Sequence, residues 1–148
     1  MFKKILIFLF IIAATTSFAQ EIEIDHFVDI THVLHYGYTI SILTDFSQCT
    51  TPNKNMKSTD IPTIIGKFEP NETQIKDDSI ASSMLHFTMN NPKYLNQPIY
   101  EFVRYSIQND DSVTVTYQDL NPTNFAALDS ITTLNCKLGT AAKVFYSM

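Results

Sequence analysis

Residues 98–119 read PIYEFVRYSIQNDDSVTVTYQD, two runs of β-branched and aromatic residues on either side of Asn109-Asp110-Asp111. Such residues suit a pleated, half-buried surface, and a short Asn/Asp link between two of these runs is a hairpin signal. In the second run Val113, Val115 and Tyr117 alternate with Ser112, Thr114 and Thr116, which gives one apolar face and one hydroxyl-rich face. In the first run the same period sets Tyr100, Phe102 and Arg104 on one side and Val103, Tyr105 and Ile107 on the other.

The pattern extends in both directions from this hairpin. Upstream, IASSMLHFTMN (80–90) follows the acidic turn Asp77-Asp78, and PTIIGKFE (62–69) carries Pro62 at a first-strand position that proline tolerates. Further upstream, YTISILTDFSQC (38–49) would set Ile40, Ile42, Thr44 and Phe46 on one face. A polar loop, 47–60, separates the last two. Downstream, NPTN (121–124) is a turn, and LDSITTLNCKL (128–138) and AAKVFYS (141–147) read as strands divided by Gly139. Near the start, Ile24, Phe27, Val28, Thr31 and Leu34 recur at helical spacing, which predicts a helix over 23–36 stopped by Gly37. One helix and about seven strands without intervening helices predict a mainly β chain, an antiparallel sandwich or partly closed barrel. The alternative is an α+β arrangement with the helix on a curved sheet.

The first 19 residues have Lys3 and Lys4, an apolar run from Ile5 to Ala14, and small residues at Ser17 and Ala19. This is the three-part pattern of a secretory signal peptide. The apolar run is about half the ~20 residues that a spanning helix needs, so the expectation is export with cleavage before Gln20, no stable membrane insertion afterwards, and a periplasmic or secreted single domain over 20–148. Removing residues 1–19 leaves eight basic residues against 15 acidic ones, a formal charge of −7, with Arg104 as the one arginine. Nucleic-acid binding needs clustered Lys and Arg to displace counterions from phosphates, and this balance excludes it. Export also decides the reading of the two cysteines, Cys49 and Cys136. In an oxidising compartment an isolated pair is expected to form a disulfide. No histidine lies near either in sequence to activate a thiolate, and the CxxC spacing of a zinc site is missing.

Few residues point to chemistry. Asp25, His26, Asp29, His32 and His35 include metal-ligating types, but no HExxH spacing supports a metal site, and a solvated polar helix face is the expectation. Arg104, between rows of bulky residues, is read as half-buried among aromatic rings; the ordinary outcome is a structural ion pair or an exposed edge, and the alternative is a fork for an anionic ligand. His86 lies one strand earlier and falls opposite a residue between Glu101 and Arg104. Paired with Glu101 it makes an ordinary cross-strand contact; near Arg104 and Tyr105 it makes a polar cluster. A hydrolase would need His86, a carboxylate and a donor to converge in one pocket, and no nucleophile or metal motif stands behind it. No GxSxG or phosphate-cradling glycine loop occurs, and Asp77-Asp78 and Asp110-Asp111 are adjacent acids in turns. Asn71-Glu72-Thr73 matches a glycosylation acceptor. No cofactor is implied.

The ordered landmarks DFSQCT (45–50), LHFT (85–88), PIYEFVRY (98–105), VTVTYQDLNPT (113–123) and NCKLGTAAKVFYS (135–147) resemble the VirK family of small exported proteins. The resemblance carries over Cys49, His86, Arg104, Tyr105 and Cys136 by motif match and gives them no roles. It departs where a glycine pair is expected, since Asp60-Ile61-Pro62 stands before the second strand. It implies export, an association with virulence or a host, and no established catalysis. The expected function is therefore a non-catalytic factor that binds a protein or small-molecule partner in the envelope or host. A ligand-binding barrel for a small anionic molecule is the alternative, and a hydrolase using His86 comes behind it.

Overall fold

The computed structural model describes residues 20–52, 65–70 and 72–147. Residues 1–19, where a signal peptide is expected, the loop with Asp60-Ile61-Pro62, and Asn71 of the glycosylation triplet lie outside the described residues. The elements are β1 (Glu21–Ile24), α1 (Phe27–His35), β2 (Ile40–Asp45), a 3-10 turn (Phe46–Gln48), β3 (Ile65–Phe68), β4 (Glu72–Ile75), β5 (Ser79–Thr88), β6 (Ile99–Gln108), β7 (Ser112–Leu120), β8 (Thr132–Lys137) and β9 (Ala142–Ser147). They form two antiparallel sheets, ordered β1-β9-β2-β3 and β4-β5-β6-β7-β8. The sandwich expectation holds, and neither sheet closes into a barrel.

Two elements differ from the sequence reading. Glu21–Ile24 is a strand along β9, not the first turn of a helix. The EIEI run alternates with period two, and the helix begins only at Phe27. Its buried residues are Phe27 and Ile30, while Val28 is exposed. Gly37 does end it: at φ +84° its N–H donates to the Leu34 carbonyl, and the Tyr38 N–H donates to the Val33 carbonyl, a glycine-dependent closure of the last turn. The second difference is β4, a four-residue strand that pairs with β5 across the Asp77-Asp78 turn.

The hairpin of residues 98–119 forms as its pattern predicts, with Ile107 opposite Val113 and Tyr105 opposite Val115. Its inward residues Val103, Tyr105, Ile107, Val113 and Val115 pack with Ile42 and Val144 of the other sheet in one buried core. The Asp111 carboxylate at the hairpin tip accepts from the Phe27 N–H at 2.8 Å and contacts His26 Nδ1 at 3.1 Å. Asp111 therefore satisfies an orphan donor in the first turn of α1 from a distant part of the chain. With Phe27 and Ile30 in the core, α1 closes the end of the sandwich at the β6–β7 turn.

Cys49, just after β2, is bonded to Cys136 in β8. Beside it Thr50 and Asn135 exchange backbone hydrogen bonds of 2.8 and 2.7 Å. One seam thus joins the two sheets covalently and by hydrogen bonds. The bond spans 87 residues of sequence, and the chain-entropy account assigns loops of this length about 4–5 kcal/mol. The double variant Cys49→Ala/Cys136→Ala is expected to lose about 2–5 kcal/mol of unfolding free energy. Urea titration of oxidised wild type and variant checks this; equal midpoints would show that the seam is held without the bond.

Candidate functional site

At the sandwich end remote from α1, β6 begins and β7 finishes, and there Glu101 lies directly opposite Asp119. Strand alternation puts Glu101 on the inward side with Val103 and Tyr105, and Asp119 on the inward side with Val115 and Tyr117. Two acids therefore stand where the core gives way to solvent. The segment after β5 brings in Asn91, which is buried. Its amide nitrogen donates to Glu101 Oε1 at 2.9 Å, to the Tyr117 hydroxyl at 3.0 Å and to Asp119 Oδ1 at 3.4 Å. The Tyr117 hydroxyl donates to the same Asp119 Oδ1. Asp129, from the segment after β7, accepts from the Asp119 N–H at 3.0 Å and from Lys93 Nζ at 2.8 Å.

These groups form one wall of a groove of about 420 Å³ between the sheets. Its floor is apolar, with Phe68 of β3 and Phe46 of the turn after β2 on one side and Val103 and Leu134 of the other sheet facing them. A cleft of this volume, mostly apolar with a few convergent polar groups, is the usual form of a small-molecule site.

Burial pushes the Asp119 carboxyl up to about 6, reinforced by the negative charges of Asp129 and Glu101 and opposed by the Tyr117 hydrogen bond. Burial, then the neighbouring Asp119 carboxylate, raises the Tyr117 hydroxyl above its ordinary value. The Asp129 carboxylate raises Lys93.

The residues singled out from sequence do not converge. His86 pairs with Glu101, with Nδ1 3.1 Å from Oε2, so the cross-strand reading holds, and Glu101 links this pair to the groove. Arg104 lies opposite Ser83 and Thr116, away from His86. It is exposed and makes no ion pair among the described residues. Of the readings for Arg104 the exposed edge holds and the half-buried one is corrected: among the described residues no further layer covers the outer face of this sheet, so the guanidinium remains in water. Tyr100 on that face instead meets Phe87 and Phe125, with both centroid distances 5.5 Å. Tyr105, the next residue along, faces inward into the core, where Thr44 Oγ1 donates to its hydroxyl at 3.3 Å. On the helix, His26 contacts Asp111, and His35 Nδ1 lies 2.9 Å from its own Thr31 carbonyl. Among the described residues no cluster of three His, Cys, Asp or Glu side chains has the arrangement of a metal site.

Asn91, Lys93, Tyr117, Asp119 and Asp129 were not singled out from sequence. One signal was present: continuing the Val113-Val115-Tyr117 alternation by one step lands on Asp119, an acid on an apolar face.

An all-antiparallel two-sheet sandwich, plugged by a helix at one end and open as a groove at the other, defines a small β-sandwich protein. The family model described as VirK protein matches residues 23–125, and the chain belongs to the VirK family. Its fold is also that of the crystal structure of lpg1832, a VirK family protein from Legionella pneumophila, with a TM-score of 0.74 and 23% identity over 84% of this chain and 98% of that one. No functionally curated protein matches the chain.

The Asp119 carboxyl carries a stability consequence. Its value in the folded protein lies above the 3.8 of the unfolded chain, so the folded state holds more protons between the two values and stability falls as pH rises through that window. Asp119→Asn is expected to be more stable than wild type by about 1–2 kcal/mol at pH 7.5. The difference should shrink as pH falls through 6 toward 4. Thermal unfolding at pH 7.5 and 4.5 reads it; a variant less stable than wild type at pH 7.5 would contradict the burial effect.

Proposed function

We propose that this VirK family member is an exported, non-catalytic binding protein whose ligand occupies the groove between its sheets. The observation that carries this reading is the open, apolar groove flanked by Glu101, Asp119, Asn91 and Tyr117 at the helix-free end. Export is supported by the signal pattern of residues 1–19 and by the Cys49–Cys136 bond, which persists in oxidising compartments. No helix among the described residues is long and apolar enough to cross a membrane.

An anionic ligand held by Arg104 finds no support in this geometry. That side chain is exposed on the outer sheet face, and the groove is lined by carboxylates. The hydrolase reading is weakened because His86 has Glu101 as its partner and no Ser, Thr or Cys hydroxyl or thiol bonded to it among the described residues. A protein partner in the envelope or host is the second reading. The row of rings Phe87, Tyr100 and Phe125 favours it, with Phe125 exposed and held at a left-handed φ of 56°, an uncommon conformation for a bulky residue.

Two measurements test the proposal. Fractionation of the producing cells with mass analysis of the protein should find a chain starting at Gln20 outside the cytosol; a cytosolic chain starting at Met1 contradicts export. Thr132 stands opposite Tyr117 at the groove mouth, and Thr132→Trp should abolish thermal shifts that small amphiphiles produce in wild type while leaving the far-ultraviolet circular dichroism unchanged. Shifts that survive the substitution would place binding elsewhere.

A further inference from the structure

Asp119 is 1% exposed and lines the groove. Both hydrogen bonds to its carboxylate, from Tyr117 and from Asn91, fall on Oδ1. Oδ2 accepts none from a described residue. Every fully enclosed side-chain polar atom among the described residues has a partner, so Oδ2 is not sealed in protein; its opening is the groove that Asp119 lines. A carboxylate has about four acceptor sites over its two oxygens, and here one oxygen holds both donors and the other holds none, with the Asp129 carboxylate close enough to share a proton with the Asp119 carboxyl. The nearby cation does not serve it, because Lys93 Nζ is bound to Asp129.

We propose that the groove receives a small molecule with an apolar body and one primary ammonium head, the body on Phe46, Phe68, Val103 and Leu134 and the head donating to Asp119 Oδ2. The proposal rests on the groove being the ligand site. Charge selects the sign of the head: Glu101, Asp119 and Asp129 face it against Lys93, with His86 behind Glu101. An anion would meet net repulsion, and a hydroxyl would bring one donor and no charge to a carboxylate that lacks a cation. Geometry selects the kind of cation. A guanidinium binds best through two parallel donors to two open oxygens, whereas Asp119 Oδ1 and both Glu101 oxygens already have partners. A quaternary ammonium cannot donate and is recognised by aromatic cages. A primary ammonium needs one acceptor, and its remaining donors can stay hydrated at the mouth. Recognition should weaken under acid conditions, since the Asp119 carboxyl titrates near 6. The groups that face it there are Glu101 with its His86 partner, the Asp129–Lys93 pair and the Tyr117 hydroxyl.

The test is calorimetric titration of oxidised, mature protein with monomeric octylamine, octanol and octanoate at pH 7.5 and pH 5.0. The expected result is octylamine binding at least about tenfold tighter than octanol at pH 7.5, since charge-assisted hydrogen bonds exceed neutral ones. Octanoate should be weakest, and the preference for the amine should collapse at pH 5.0. Asp119→Asn should bind octylamine and octanol alike, and Thr132→Trp should bind neither. The pH arm uses wild type alone and stands even if a variant fails to fold. Octanol binding as well as octylamine, or an amine preference unchanged at pH 5.0, would overturn the ammonium head while leaving the groove as a site. Binding of none of the three, or amine binding that persists in Thr132→Trp, would overturn both.

Discussion

Two sheets that share no continuous strand must be held face to face, and in this protein the seam between Cys49–Cys136 and the Thr50–Asn135 backbone pair does so. The inward residues of both sheets supply the larger energy, because burying apolar area is the main driving term. That term is non-directional, and by itself it would tolerate the sheets sliding or rotating against one another. The seam fixes where β8 lies relative to the end of β2. Leu134, two residues from Cys136, and Phe46, three from Cys49, are thereby set on opposite walls of one space.

The two ends of the sandwich solve the same problem differently. At the β6–β7 turn the core is closed by α1, with Asp111 bound to the helix start and Phe27 and Ile30 buried. At the other end no helix of the described residues covers the core. Inward-facing positions there carry Glu101 and Asp119 instead of the valines and isoleucines found two to six residues further along the same strands. Asn91 and Tyr117 satisfy one oxygen of each acid. The groove is thus the unplugged end of an ordinary core, edged with acids and covered in part by the segments that carry Asn91 and Asp129.

Period-two alternation made most strands legible. The hairpin, Ile40-Ile42-Thr44-Phe46 and the last strand all bury the face their spacing indicated. The pairing of the cysteines was legible too, from their number and the expectation of an oxidising compartment. Four-residue strands were not legible. EIEI and ETQI offer two alternations each, and what makes them strands is pairing with β9 and β5, the first of which lies at the far end of the chain. The exposure of Arg104 was not decided by the pattern, because alternation tells which face a residue takes but not whether another layer covers that face. The groove was half legible. Asp119 sits on a face that the pattern defines, whereas Asn91, Lys93 and Asp129 sit in irregular segments whose position only the folded chain sets.

Stability does not account for the charge on Asp119. The carboxylate has an acid value pushed upward chiefly by burial, meaning that its ionised form is held there against a desolvation penalty. Among the described residues its carboxylate accepts from Tyr117 and Asn91, both at Oδ1, and an asparagine in the same place has an acceptor oxygen to offer them without the charge. Its backbone N–H, which Asp129 accepts, does not depend on the side chain. What distinguishes aspartate from asparagine at this position is therefore the second oxygen and the negative charge, on a residue that lines the groove. Strained or costly groups concentrate where a protein works, and in this molecule the costly group and the open apolar space are the same place.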